Sequence, residues 1–221
     1  MCCCLRWASC SAELSGGTYM KLNKLEFMAM NNPVRAFVQE KYELNILRAM
    51  TSLKGIDSVL EIGCGNGTGT KLIKKYFAPK NITAIDLDEK MIEIARERTT
   101  DPSISYTCMD ASKLDFSNEQ FDAIFDFGII HHIPDWKGCL QELKRVLKPN
   151  GQLIFEDLSI DSFTIGIGKL WRIVSAHPYD SMYTPKEFTE YMKKLNFKII
   201  HYQESNPLKF IRFFSLNAVL Q

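Results

Sequence analysis

The chain has 221 residues, of which 46% are hydrophobic and 24% charged. That suffices for one domain with a full core, needing neither disulfides nor structural metal, and it excludes an intrinsically disordered chain. Lys plus Arg number 27 against 26 Asp plus Glu, a net charge of +1, so nothing global attracts a polyanion and nucleic acid is not expected as a partner; no apolar run of about 18 residues offers a membrane-spanning helix.

Four of the 7 cysteines (Cys2, Cys3, Cys4 and Cys10) crowd the first ten residues, while Cys64, Cys108 and Cys139 are widely spaced. There is no CxxC pair, and the histidines show no zinc-site spacing to cysteine, so no metal is expected. Reduced thiols in a cytoplasmic protein are the plain reading; acylation of the N-terminal cluster, or a soft metal there, is the alternative. Residues 1–19 carry no packing pattern and read as a non-structural head, with Met20 a possible true start. Residues 20–221 then form the domain, with an N-terminal helical cap over 20–52.

In chain order, a short helix is expected near 22–30 and a longer one at 33–51, where Pro33 suits a first turn. Ser58 to Ile62 is a strand that ends in a glycine-rich turn. A helix at Thr68 to Phe77 is stopped by Pro79, and a strand at Ile82 to Ile85 leads into a helix from Asp88 to Arg98. Ser103 to Cys108 and Phe121 to Phe127 are strands, Trp136 to Leu147 a helix, and Pro149-Asn150-Gly151 a turn before a strand at Gln152 to Glu156. Strands alternating with helices mean crossover units and a parallel sheet. Helices at 162–175 and 185–195 follow, then strands at Phe197 to Tyr202 and Phe210 to Val219. Only a short link joins those last two, so they pair antiparallel.

The most informative stretch is Val59-Leu60-Glu61-Ile62-Gly63-Cys64-Gly65-Asn66-Gly67-Thr68-Gly69. A buried strand runs into alternate glycines, and a helix opens after them. Glycine permits the tight turn and lets a ligand approach the backbone. A dinucleotide fingerprint GxGxxG would need glycine at 68, where Thr68 stands. Glu61, just before the turn, would repel a pyrophosphate but can hold an ammonium group. Both features disfavour a NAD-linked oxidoreductase. Asp86 follows at the end of the second strand, where an acid meets the two hydroxyls of a ribose. Asp88 is better explained as the next helix's N-cap. Asp110 after the third strand can accept from an exocyclic amine.

VLEIGCGNGTG, AIDLDEKMIEIAR, the Asp of CMDA, FDAIFDFGIIHHIPD and LKRVLKPNGQLIFED resemble the successive motifs of class I S-adenosylmethionine-dependent methyltransferases, in order and spacing, over about residues 55–157. The resemblance implies a Rossmann-like, doubly wound seven-stranded α/β sheet of order 3-2-1-4-5-7-6 with strand 7 antiparallel, and S-adenosyl-L-methionine as cofactor. By position it implies that Gly63, Gly65 and Gly67 line the methionine part, with Cys64 among the cofactor-binding residues, and that Glu61 lies near the amino group. Asp86 would take the ribose hydroxyls with Leu87 beside the adenine, Asp110 and the Ala111 amide would read the adenine edge, and Phe127 would lie near the sulfonium. The flavour is that of enzymes acting on small molecules.

Methyl transfer from a sulfonium is an in-line displacement that needs alignment and exclusion of water, and a base only where the acceptor is protonated at rest. His131 and His132, at the carboxyl end of the fourth strand, are the candidate bases or positioning groups. Phe163, Ile167, Leu170, Trp171 and Val174 share one helix face, read either as core or as an apolar lid. His177, Tyr179 and Tyr183 follow in a loop that can orient a small, largely apolar acceptor. The loop after the fourth strand lacks the D/N-P-P-aromatic motif of DNA amino-methyltransferases, and the chain has no Pro-Cys nucleophile. Transfer to a protein or other macromolecule, or cofactor binding without catalysis, remain the other readings.

Overall fold

A computed structural model describes residues 32, 37, 39–51, 53, 55–164, 169, 172, 178–206 and 212–221. The expected head at 1–19 and helix near 22–30 lie outside the described residues, as do Ile167, Leu170, Trp171, Val174 and His177.

The sheet has seven strands: β1 (Ser58–Ile62), β2 (Asn81–Asp86), β3 (Ile104–Cys108), β4 (Phe121–Phe127), β5 (Leu147–Leu158), β6 (Phe197–Ser205) and β7 (Phe213–Leu220). Their order is β3-β2-β1-β4-β5-β7-β6. The first five pair in parallel, and β7 runs antiparallel to both β5 and β6. This is the expected topology. Strands β1 and β4 are almost entirely buried because helices cover both faces of the sheet.

A π-helical turn, Gln39–Glu43, leads into α1 (Leu44–Met50), and α2 (Thr68–Phe77) and α3 (Glu89–Glu97) follow β1 and β2. Leu44, Leu47, Leu72, Ile73 and Phe77 meet Val59, Phe125 and Ile154 on one face of the sheet. On the other face, α4 (Trp136–Val146) and α5 (Pro185–Lys194) bury Leu140, Leu143, Phe188 and Met192 against Leu60, Ile124 and Phe155. Helices α3, α4 and α5 start at side-chain caps, whereas the helix expected over 33–51 is an α-helix only from Leu44, after the π-helical turn. Asp88 accepts from the Lys90 amide, Asp135 accepts from the Gly138 amide, and Thr184 and Glu187 form a capping box with Pro185 in the first turn.

Three boundaries differ from expectation. The strand expected from Gln152 is entered directly from α4 at Leu147, yet Phe121 pairs with Leu147 and Ala123 with Gln152. The Pro149-Asn150-Gly151 turn therefore survives as an irregularity in the ladder, with Asn150 at φ 62. The final strand starts at Phe213. In place of the first turn of the helix expected at 162–175 stands a short 3₁₀ turn, Ile160–Phe163.

Candidate active site

Register brings the carboxyl ends of four strands together. Ile62 of β1 pairs with Ile85 of β2 and Asp126 of β4, and Asp86 pairs with Cys108 of β3. Open parallel sheets bind ligands at this edge. The glycine turn hangs over it with Gly63, Gly65 and Gly67 at φ 63, 52 and 80, the left-handed region where glycine alone is unstrained. Two of the three are also enclosed: a Cβ on Gly63 would lie 2.4 Å from the Ile129 side chain, and one on Gly67 would lie 2.8 Å from the Tyr106 hydroxyl. A Cβ on Gly65 would meet nothing within 4 Å. Gly65 thus opens the turn onto the space above the strand ends.

Asp86 ties this turn to the next. Its Oδ2 accepts from the Gly65 amide at 2.8 Å and its Oδ1 from the Asp88 amide at 2.9 Å. Each oxygen retains acceptor capacity for a ribose hydroxyl. Burial is the largest cause of its raised pKa, partly offset by those amides. Asp88 is confirmed as the cap of α3. Met109 N–H donates to the Asp86 carbonyl at 3.0 Å, which brings the following residue, Asp110, alongside. Asp110 Oδ1 accepts from both the amide and the hydroxyl of Ser112, at 2.8 and 2.7 Å. Leu87 is half-buried between these acids, and the Ala111 methyl is buried in the core.

Glu61 is 1% exposed and accepts from the Thr70 hydroxyl. Burial above all, and next among the raising causes the Asp86 charge, pushes its pKa up to about 8. A Cβ on Gly69 would fall 2.2 Å from Glu61 Oε1, 3.0 Å from the Phe127 ring and 3.2 Å from Gln39 Nε2. The glycine at 69 is therefore what admits the carboxyl. Phe127 sits under the loop, stacked on Phe125 with centroids 6.3 Å apart. Sequence reasoning missed Thr70, whose hydroxyl donates to Glu61, and Gln39, whose side-chain amide lies beside Gly69; neither carries a motif.

The structure defines the surroundings of Cys64 and corrects the expectation for Tyr183. The Cys64 side chain points into a small core with Ala84, Ile92 and Ala95, its amide donates to Ile85 and its carbonyl accepts from Gly67. Cys64 therefore builds the turn, and its thiol belongs to the core. Tyr183 is not a loop residue open to an acceptor: it is 1% exposed, because Trp136, Phe188 and Phe214 enclose its ring. Its hydroxyl donates to Asp157 at 2.8 Å. Tyr179 is half-buried, with its ring against Phe163 and under Arg172.

The histidines stand in a 3₁₀ turn, Ile130–His132, directly after β4. Their ring centroids are 4.0 Å apart. His131 is 4% exposed, and its Nδ1 is in close contact with Asp157 Oδ1; His132 is half-buried. Asp126, fully buried at the end of β4, accepts from the Ile129 amide through Oδ1, and its Oδ2 has no hydrogen-bond partner among the described residues.

A doubly wound sheet with this glycine turn, an acid at the end of β2 and a second acid after β3 has the form of an α/β protein that binds a nucleoside-bearing cofactor. Residues 60–155 match the family described as "Methyltransferase domain". Over 100 residues, 45% of this chain, it is 33% identical to the phthiotriol/phenolphthiotriol dimycocerosates methyltransferase of Mycobacterium leprae (strain TN), a match spanning only 37% of that protein. It is 26% identical over 212 residues to the ubiquinone biosynthesis O-methyltransferase of Coxiella burnetii (strain RSA 493 / Nine Mile phase I), covering 90% of this chain and 85% of that one. A structure of a SAM-dependent methyltransferase from Aquifex aeolicus superposes with a TM-score of 0.70 at 20% identity, covering 91% of this chain and 100% of the other. Residues 60–155 thus carry a methyltransferase domain, on the fold of a SAM-dependent methyltransferase, and domain and fold imply S-adenosylmethionine as the cofactor. No helix among the described residues is long and apolar enough to cross a membrane.

Proposed function

We propose that this chain transfers a methyl group from S-adenosylmethionine to a small, largely apolar acceptor. The observation that carries the reading is the open space at Gly65, whose amide is held by Asp86, at the end of the strand that buries Glu61. The cofactor supplies a methyl already activated by a positive sulfur. Asp86 receives the ribose hydroxyls, Asp110 and Ala111 the adenine edge, and Glu61 the ammonium, with Gln39 at the same spot. Phe127 packs below the loop at the sulfonium side, so the methyl faces the end of β4 and the two histidines. There the protein's work is alignment and exclusion of water. The names of the ubiquinone and phthiotriol relatives support a small or lipid-like acceptor. Tyr179 remains a candidate for orienting it, as do Trp171 and His177 outside the described residues. The near-zero net charge favours such a molecule over nucleic acid, and the free thiols of Cys64, Cys108 and Cys139 fit the cytoplasm.

Titration calorimetry with S-adenosylhomocysteine and with NAD tests the cofactor, and methyl-labelled cofactor with a panel of phenols, catechols and long-chain alcohols tests the acceptor. Binding of S-adenosylhomocysteine and labelling of a small molecule are expected. Preference for NAD would refute the reading, and labelling of protein alone would move the acceptor to a macromolecule.

A further inference from the structure

The turns that follow β1 and β4 are interlocked. The Ile129 side chain fills the place where Gly63 has no side chain of its own: a Cβ there would stand 2.4 Å from Ile129 Cγ1, 2.6 Å from its Cβ and 3.0 Å from its Cγ2. Two residues earlier, the Phe127 ring lies 3.0 Å from the place of a Cβ on Gly69. The glycine stretch 63–69 is thus pressed at both ends by residues from the end of β4, the strand beside β1. Phe127 and Ile129 reach these two places because the chain turns between them at Gly128, φ 86, a conformation that glycine adopts without strain.

A buried acid holds that turn. Asp126 is fully buried on the opposite face of β4 from Phe127, between Ile62 and Phe155 of the neighbouring strands. Its Oδ1 accepts from the Ile129 amide at 2.9 Å, so a side-chain oxygen closes the turn in the way a backbone carbonyl would. No side chain caps the 3₁₀ turn that begins at Ile130. Asp126 does this as a neutral acid. Burial above all, then the Asp157 charge, holds its pKa well above the usual carboxylate range. Oδ2, left for the proton, has no hydrogen-bond partner among the described residues. A carboxamide at 126 would offer Ile129 the same acceptor, whereas an alkyl side chain of like size would offer none.

We infer that Asp126 is a positioning residue of the cofactor site: through the Ile129 amide it locks the turn after β4 onto the glycine turn after β1, and so sets the shape of the turn that receives the methionine end of the cofactor. The inference rests on the methyl-transfer reading, which puts the methionine part at Gly63. It adds to that reading a buried residue that acts at one remove, through Ile129, with its hydrogen-bond acceptor and not with a charge.

Calorimetry with S-adenosylhomocysteine, beside Tm, tests this on the wild type, Asp126→Leu, Asp126→Asn and Ile129→Ala. Asp126→Leu fills the space but leaves the amide unpaired, and should weaken binding at least about tenfold, the scale of a buried hydrogen bond left unmade. Asp126→Asn keeps the acceptor and should rescue binding to within about threefold of the wild type. Ile129→Ala should weaken binding as Asp126→Leu does. Combining the two should cost no more than about twofold beyond the weaker single variant, because both act through one contact. An Asp126→Leu protein that folds and binds normally, whatever its Tm, would overturn the inference. So would an Asp126→Asn protein as weak as Asp126→Leu, or full additivity in the double variant. Should Asp126→Leu fail to fold, Asp126→Asn and Ile129→Ala decide, with ¹³C-methyl NMR of the wild type. The Ile129 methyl signals, assigned through Ile129→Val, should shift when S-adenosylhomocysteine binds, and signals that stay in place would overturn the inference. Failure of the wild type to bind S-adenosylhomocysteine at all would instead sink the methyl-transfer reading.

Discussion

Cofactor binding should be linked to a proton at Glu61. The carboxyl is buried, receives one hydroxyl from Thr70, and no basic side chain among the described residues contributes to its shift; burial first, then the Asp86 charge, raises its pKa to about 8. The group is therefore neutral in the ligand-free protein at pH 7. An ammonium brought beside it favours the ionised form, so the cofactor should expel the proton. If only the ionised form binds, affinity scales as 1/(1 + 10^(8−pH)), a rise of about 50-fold from pH 6 to pH 8, or about 2.3 kcal/mol. Ligand-free stability runs the other way. The folded pKa lies above the unfolded 4.5, so the protonated group's contribution is fully present below pH 4.5 and is lost as pH climbs toward 8. Over pH 6 to 8 that loss is again about 2 kcal/mol. Calorimetry with S-adenosylhomocysteine at pH 7, in two buffers of different ionisation enthalpy, should find about 0.9 proton released per ligand. Urea melts across the same pH range should show stability falling in the wild type and holding nearly level in Glu61→Gln. Flat affinity with no proton release, or a Glu61→Gln protein that binds as tightly as the wild type, would refute the reasoning.

Asp86→Ala should weaken S-adenosylhomocysteine binding by roughly 1.5–3 kcal/mol, the scale of lost hydrogen bonds to a charged acceptor. Asp88→Ala should leave binding alone and lower stability by about 1 kcal/mol through the lost cap; the reverse pattern in calorimetry and urea melts would exchange their roles. Gly63→Ala and Gly65→Ala both impose a left-handed backbone on a Cβ, at roughly 1–2 kcal/mol. Only Gly63→Ala also collides with Ile129, so it should lose a further 1–3 kcal/mol or so by overpacking. Gly65→Ala should fold and lose cofactor affinity; a Gly65→Ala protein with normal affinity would place the cofactor elsewhere. Removing residues 1–19 should change neither Tm nor cofactor affinity, and a clear drop in Tm would give the cysteine-rich head a structural role.

The cofactor half was legible because it is written in local pattern. Strand β1, the spaced glycines and α2 form one continuous stretch, and an acid at the end of β2 must lie beside that turn once the strands pair in parallel. The direction of the Cys64 side chain was not legible in the same way: chain position puts the residue in the loop, and its side chain packs into a small core with Ala84, Ile92 and Ala95 while its amide pairs with Ile85. The edge of β5 was blurred because a turn signal, Pro149-Asn150-Gly151, lies within the strand as an irregularity.

The acceptor half is not written locally. Asp157 meets a histidine 26 residues before it and a tyrosine 26 residues after it, and neither spacing is a motif. Tyr183 reads as polar loop from its neighbours in sequence; three aromatic rings from α4, α5 and β7 make it core. Three of the buried acids at the strand ends, Glu61, Asp126 and Asp157, show the physical rule that organises this region. Glu61 is reached by one donor, Thr70, and Asp126 by one, the Ile129 amide, and burial raises both pKa values. Asp157 is reached by four. A buried charge persists only where hydrogen bonds replace the lost water. At Asp157 the fold brings such donors together. Glu61, with Thr70 as its donor, is instead left with a pKa that burial raises to about 8.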